Sequence, residues 1–447
     1  MFITKEMLVE KDNCERILEW FDKYFPNGGD YQEVLNLAAK LDNDVFGISV
    51  LKQFGSINTV LEVDELTSDH SVIFAGSINV KGDINVAKHL IAGGNINVGK
   101  DVKTGGDIRT DRNFNAGKDI YIEGNIEVGI NVDVSQNIYS VGNILASNIR
   151  AGMFIRTEKD IKACKDIKAF DINAGKNINA GGTINSGWNI TSTLDINAGG
   201  SINTSKNINA GENVKAGNSV RAGNNIKVDG SIKTGSDIKT DGDIKVGVDI
   251  EVGWNIKAGG DINVGGNANI GWNIKADKDI KIGKDIKADN NIKAGKDINI
   301  GDDIVACGVY AGGDINTDGN IDVRYINAGN DIKVGSRITT GGSIEAGGNI
   351  NTGDTIQAGG DIEAGGSIDS DNFIKGYRDI NAGKDIKASR GIIVGGNITA
   401  NGDIKSGDNY GIYTGFMMRI DIKDKYGTIK AKTEPKNIMM GTFIPNK

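Results

Sequence analysis

Two histidines, three cysteines and a recurring Asp–Lys pair are the residues of this chain with chemical potential. Acyl or proton transfer needs a positioned general base, and His70 and His89 are the only imidazoles. Both lie at the start of a long repeat, and His89 precedes Leu90 at an outward place, so both read as structural. Cys14, Cys164 and Cys307 are far apart and show no C-x-x-C spacing, which fits a reducing compartment better than a disulfide framework. Columns of Asp attract divalent cations weakly, but Lys competes in the same rungs and no oxygen cage is readable, so no metal is expected. Glycine pairs such as those in "AGGDIN" look like chain corners. No Walker A pattern occurs, and no glycine motif stands between a strand and a helix, so no cofactor is implied. Lys recurs at outward places from 227 to 293, including Lys239, Lys245, Lys257, Lys275, Lys281, Lys287 and Lys293. Such a stripe would track phosphates. Asp stands two residues away in most rungs, however, and interleaved aromatics are missing, which argues against nucleic acid.

The elements that would position these residues follow from one period. Residues 283–304 read "GKDIKADNNIKAGKDINIGDDI", with an aliphatic residue every sixth place and a second, usually smaller one two places later. In an extended chain residues i and i+2 share a face while their neighbours face the other way. Gly-Lys, Gly-Gly or Asp-Asn then supplies a bend, where glycine accepts positive φ cheaply. One hexad is one short strand plus one corner. Three hexads close an eighteen-residue coil, and Trp254 and Trp272 take the same place eighteen residues apart. The phase slips by one residue at Ile144–Ile149, Ile167–Ile172, Ile304–Val309 and Ile321–Ile326, and the order of large and small inverts at Ala268 and Ile270. The expected fold is all-β, a three-sided β-solenoid of about 18 residues per coil. Asp or Asn before the Ile and Lys or Asn after it read as a solvated, self-neutralised surface.

Composition agrees. Gly is 64 of 447 residues and Pro only three, all in the terminal segments (Pro26, Pro435, Pro445), so a long hydrogen-bonded ladder is permitted. Formal charge is −8, from 51 basic and 59 acidic residues, which marks neither an acidic tail nor a basic domain. No run approaches 18 apolar residues and the first twenty residues alternate charge, so no membrane span and a cytoplasmic location are expected. Residues 1–55 read as a helical module. In "KDNCERILEWFDKYF" apolar residues recur at helical spacing, Asp30 and Glu33 form a capping-box pattern before "YQEVLNLAAKL", and "DVFGISVLKQF" ends at Gly55. Residues 56–77 read as transition or capping strands, 78–409 as the solenoid and 410–447 as a short β-rich cap.

"AGGDIEAGG" (358–366) and "AGGDINVGG" (258–266) resemble runs in bactofilin-type polymer-forming proteins and in the β-helical part of flagellar assembly protein A-like proteins. The resemblance implies a non-enzymatic β-helix acting as scaffold or filament. The whole layout, with "FPNGGDYQEVLN" (25–36) ahead of Gly-Ile hexads, is similar to uncharacterised bacterial and prophage-type repeat proteins, and that likeness implies no function. Bacterial hexapeptide acyltransferases use a related solenoid, but place the small residue four positions after the aliphatic one. The expected function is a non-catalytic scaffold rod that binds a protein partner through its terminal modules. Candidate contacts are Trp20, Phe21, Tyr24, Phe25, Tyr31 and Leu35 in the helical module, and Trp254 and Trp272 at solenoid corners. A polymer-forming filament protein with self-association is the alternative. A charged-face mimic or inhibitor of a nucleic-acid enzyme is the second.

Overall fold

A computed structural model describes residues 1–11, 15–416 and 427–446. Cys14 and part of the expected C-terminal cap lie outside them. The chain forms two compact units, Met1–Gly217 and Asn218–Lys447.

The first unit opens with four helices, α1 (Lys5–Glu10), α2 (Glu15–Tyr24), α3 (Tyr31–Lys40) and α4 (Asp44–Phe54). Asp30 caps α3, its Oδ1 accepting from the backbone N–H of Gln32 at 2.9 Å. Gly55 ends α4 with φ +74°, a conformation that favours glycine. The helices pack around Leu8, Phe21, Tyr31, Leu35, Phe46 and Val50, and this core takes in Ile73 and Ile91 from the solenoid. Those two occupy outward places that are polar in most other rungs, because the helices cover them. Gln32 fastens the contact. Its Nε2 donates to the Ile73 carbonyl and its Oε1 accepts from the Ala75 N–H, both at 2.8 Å, so one side chain imitates a neighbouring strand at the edge of Val72–Phe74.

Parallel pairing starts at Val60–Val63, where Leu61 pairs with Ile78, a full coil ahead of the expected start at Ile78. Residues 60–77 are therefore solenoid rather than transition. Three-residue strands then stack with an eighteen-residue step, as in Ile84–Val102–Ile120–Ile138. Each aliphatic residue and the residue two places later point inward and are buried. The slips shorten the step to seventeen, so Ile144 pairs with Ile161.

The second unit repeats the design. Its two slips remove the corner, so Ile304–Ala311 and Ile321–Ala328 are continuous eight-residue strands that each run across two faces of the coil. They stack directly, Ile304 on Ile321 and Val309 on Ile326. Ala268 lies between Ile250 and Ile286 while Ile270 lies between Val252 and Ala288, both buried, so the inverted rung fills the same volume. Inward threonines are satisfied locally, as where the Thr240 hydroxyl donates to the Asn224 carbonyl. Beyond Ile404 the C-terminus is β-rich as expected, and its described strands continue the ladder, with Ile412 on Ile392 and Ile429 on Ile398.

Corner glycines serve a different purpose from the one expected. The described glycines with positive φ are Gly28, Gly55, Gly415, Gly427 and Gly441, none of them within the hexads of residues 78–409. A Cβ on Gly347 would instead press into the carbonyl oxygen of Gly329 one coil earlier. Close approach of coils, not backbone handedness, selects glycine there.

Candidate functional site

Three of the six hexad positions carry the architecture. Two point inward. The third, directly before the Ile, was expected to be solvated and is not simply so. Its side-chain oxygen accepts the backbone N–H of the equivalent residue one coil later. In the second unit Asp243, Asp261, Asp279, Asp297, Asp314 and Asp331 form one such column, each Oδ1 accepting from the next Asp N–H at 2.8–3.0 Å. Asparagine adds a side-chain bond, as where Asn125 donates from both N and Nδ2 to Asp107 Oδ1. At a corner Gly265 and Gly266 donate to backbone carbonyls of the coil before, and the next N–H, that of Asn267, is taken by Asp249 Oδ1. His89 takes the same role, its Nδ1 accepting from the Asp107 N–H at 2.8 Å. Burial pushes the Asp107 carboxyl up, but the Asn125 N–H and the Arg109 guanidinium outweigh it and hold the group below its usual range. His70 lies beside Asp42, which also pairs with Lys88 at 2.6 Å and so ties the end of α3 to the solenoid.

Function is left to the outward position after the Ile and to the corners. Of the expected contacts in the helical module, Phe21, Tyr31 and Leu35 are fully buried in its core and present no surface. Burial raises the Tyr31 phenol, whose hydroxyl donates to the Gly55 carbonyl. Trp20 is half-buried against Phe46, with ring centroids 4.2 Å apart, and Phe25 is half-buried against Phe21. Tyr24 is exposed, with Lys23 over its ring. The apolar surface lies elsewhere. Val45 is 79% exposed and Leu41 43%, at the turn from α3 to α4.

Outward columns in the first unit carry aromatics. Tyr121 and Tyr139 stack at 5.1 Å between Lys103 and Arg156 on the same face, and at a corner Phe170 stacks on Trp188 at 5.7 Å with Lys206 over the indole.

The second unit carries an unbroken column of cations. Arg221, Lys239, Lys257, Lys275 and Lys293 are register partners in five successive coils, all exposed. The other two faces differ. There Lys245 is followed by Asn263, and Lys233 pairs with Glu251 at 2.7 Å. The residues before the Ile on the cationic face are Ser219, Asp237, Asn255, Asn273 and Asn291, so the Asp that accompanies Lys elsewhere is mostly absent. Among the described residues one ion pair touches the column, Lys275 to Asp277 at 3.4 Å. Trp254 and Trp272 stand at the corner leading into this face, 59% and 49% exposed, on adjacent coils. The aromatic flank and sparse carboxylates appear only when rungs are sorted by eighteen.

Among the described residues the one acidic cluster with ligand-like spacing is Asp285, Asp302 and Asp303. Two of its oxygens are already acceptors in the corner ladder, from Asp303 N and from Asn320.

Residues 1–42 match the YdhT N-terminal domain family. The matched segment contains α1 to α3 and ends at Asp42, the residue paired with Lys88. No curated protein and no solved structure matches the chain. The YdhT-type segment is built onto the solenoid flank through Gln32.

Proposed function

We propose that the protein is a non-catalytic scaffold, a β-solenoid that holds a YdhT-type helical module and presents it to a protein partner. The observation that carries this reading is the Gln32 bridge, with Ile73 and Ile91 buried beneath the helices: the module is fixed to the coils, while Leu41 and Val45 face outward. A fixed presentation lowers the ordering cost of binding, and Leu41 and Val45, four residues apart at the turn into α4, offer the apolar contact point of this proposal. Among the described residues no helix is long and apolar enough to cross a membrane. Cys164 and Cys307 are free thiols, which supports a reducing, cytoplasmic setting within the same proposal.

The test is affinity purification of the full-length chain beside a Leu41→Asp/Val45→Asp variant, after crosslinking. Loss of a crosslinked partner, with the circular dichroism and melting of the variant unchanged, supports the reading. An unchanged partner set from the folded variant refutes it.

One observation favours the filament alternative. Among the described residues Val60–Val63 and Leu66–Ser68 are paired on one side only, and an open edge recruits strands. Glu62, Asp64, Glu65 and Asp69 crowd that coil, all exposed, and charge on an edge opposes such pairing. Negative-stain microscopy separates the two readings, since long unbranched filaments of the purified chain would establish the alternative.

A further inference from the structure

We infer that the Arg221–Lys293 face binds single-stranded nucleic acid along its cation column. The inference goes beyond the scaffold reading and uses a different surface. Like charges directly opposite in neighbouring strands destabilise a sheet, and elsewhere in this unit Asn or Glu interrupts them. Here five cations follow one another without interruption, and one of them has an ion-pair partner among the described residues. Strand spacing puts the charges about 4.8 Å apart in a straight line. The complement of such a line is an extended polyanion, not a compact anion.

Three features choose among polyanions. Four of the five cations are lysines, point charges that suit phosphate, whereas planar carboxylates are held best by the bidentate fork of Arg. The exposed indoles of Trp254 and Trp272 flank the column on adjacent coils and offer two faces on which bases can stack, as in single-strand binders that tolerate any sequence. The face is a flat sheet of three-residue strands, with no helix or ribbon among residues 218–300 to enter a duplex groove. A single strand can lie along it, whereas a duplex would touch it only at its rim.

Fluorescence anisotropy of the full-length protein with labelled oligothymidylate and oligouridylate, each of about twenty nucleotides, tests this across salt from about 50 to 200 mM. Binding should weaken with salt by about 0.7 log units per log unit for each phosphate neutralised, and Lys257→Gln/Lys275→Gln should lower that slope by about 1.4. Trp254→Ala/Trp272→Ala, which removes two stacking faces, should weaken binding roughly thirty-fold or more. Lys233→Gln/Lys287→Gln, on another face, should leave it unchanged. Ultraviolet crosslinks to the native chain, mapped by mass spectrometry, should fall within residues 221–293 and do not depend on any variant folding. The inference is overturned by no binding at low salt, by equal loss in the face and control variants, by crosslinks elsewhere, or by tighter binding of polygalacturonate than of either oligonucleotide.

Discussion

Replacing Asp279 separates two accounts of the residue before each Ile. If that carboxylate is a solvated surface group, Asp279→Ala and Asp279→Asn should both change stability by no more than about 0.5 kcal/mol. The structure gives it two opposed contributions. Its Oδ1 accepts the Asp297 N–H at 3.0 Å, and losing the acceptor for a partly buried N–H costs about 1–3 kcal/mol. Its charge also lies between Asp261 and Asp297, each about 4.8 Å away. In water that repulsion is about 0.9 kcal/mol per neighbour, and screening at physiological salt roughly halves it. Asparagine keeps the acceptor and removes the charge, so Asp279→Asn should stabilise the protein by up to about 1 kcal/mol, more at low salt. Alanine removes both, so it should be less stable than asparagine by about 1–3 kcal/mol. Long repeat arrays need not unfold in two states, so the direct assay is hydrogen exchange at the Asp297 amide alongside urea unfolding. Exchange there should be roughly five- to hundred-fold faster in Asp279→Ala and unchanged in Asp279→Asn. Equal exchange in both variants, or destabilisation by Asn as large as by Ala, refutes the ladder.

The inverted rung yields a cycle. Ile270→Ala should cost about 2–5 kcal/mol and Ala268→Ile about 1–3 kcal/mol by overpacking, whereas the double exchange should fall within about 1.5 kcal/mol of wild type in urea unfolding. At His89 the ladder role predicts that His89→Asn preserves protection of the Asp107 amide, while His89→Ala costs about 1–3 kcal/mol and exposes it to exchange. Asp107 gives a pH dependence of defined sign. Its carboxyl sits below the ordinary value of about 3.9, so its contribution is present above that pH and is lost as pH falls through the lower folded value. Asp107→Asn keeps an acceptor for Asn125 and should flatten the acid limb of the melting temperature against pH.

The period of six, the inward pair and the eighteen-residue turn were legible because each is a local rule repeated dozens of times. Even the inverted Ala268/Ile270 rung and the four slips could be read from spacing. The first coil was not, because "VLEVDELTS" keeps inward Leu61, Val63 and Leu66 but lacks the Ile-Gly signature. The last rungs were missed for a related reason: Ile412 and Ile429 resume the ladder after long intervals that break the count. Ile73 and Ile91 went unread: Ile73 lies in that unrecognised first coil, and only the pairing of Val72–Phe74 with Leu90–Ala92 puts both at outward places under the helices. Phe21, Tyr31 and Leu35 were offered as contacts because a helical stripe does not say whether its apolar side meets a partner or its own neighbours.

The outward columns were hidden by averaging. Read along the chain, Asp accompanies Lys in most rungs and the stripe looks neutralised. Sorted by eighteen, the Asp before the Ile is concentrated on two faces, and the third carries the column Arg221, Lys239, Lys257, Lys275 and Lys293 with Asp237, Asp241 and Asp277 as its few carboxylates. The fold has no use for that segregation. Ile, the small inward residue and the oxygen-bearing corner side chain already satisfy packing and backbone hydrogen bonds in every rung. The outward residue after the Ile is free to vary, and in neighbouring columns it does, through Asn, Glu and Thr. An unbroken run of one charge at the position least constrained by architecture, present despite mutual repulsion, is therefore a property of the surface rather than of the fold.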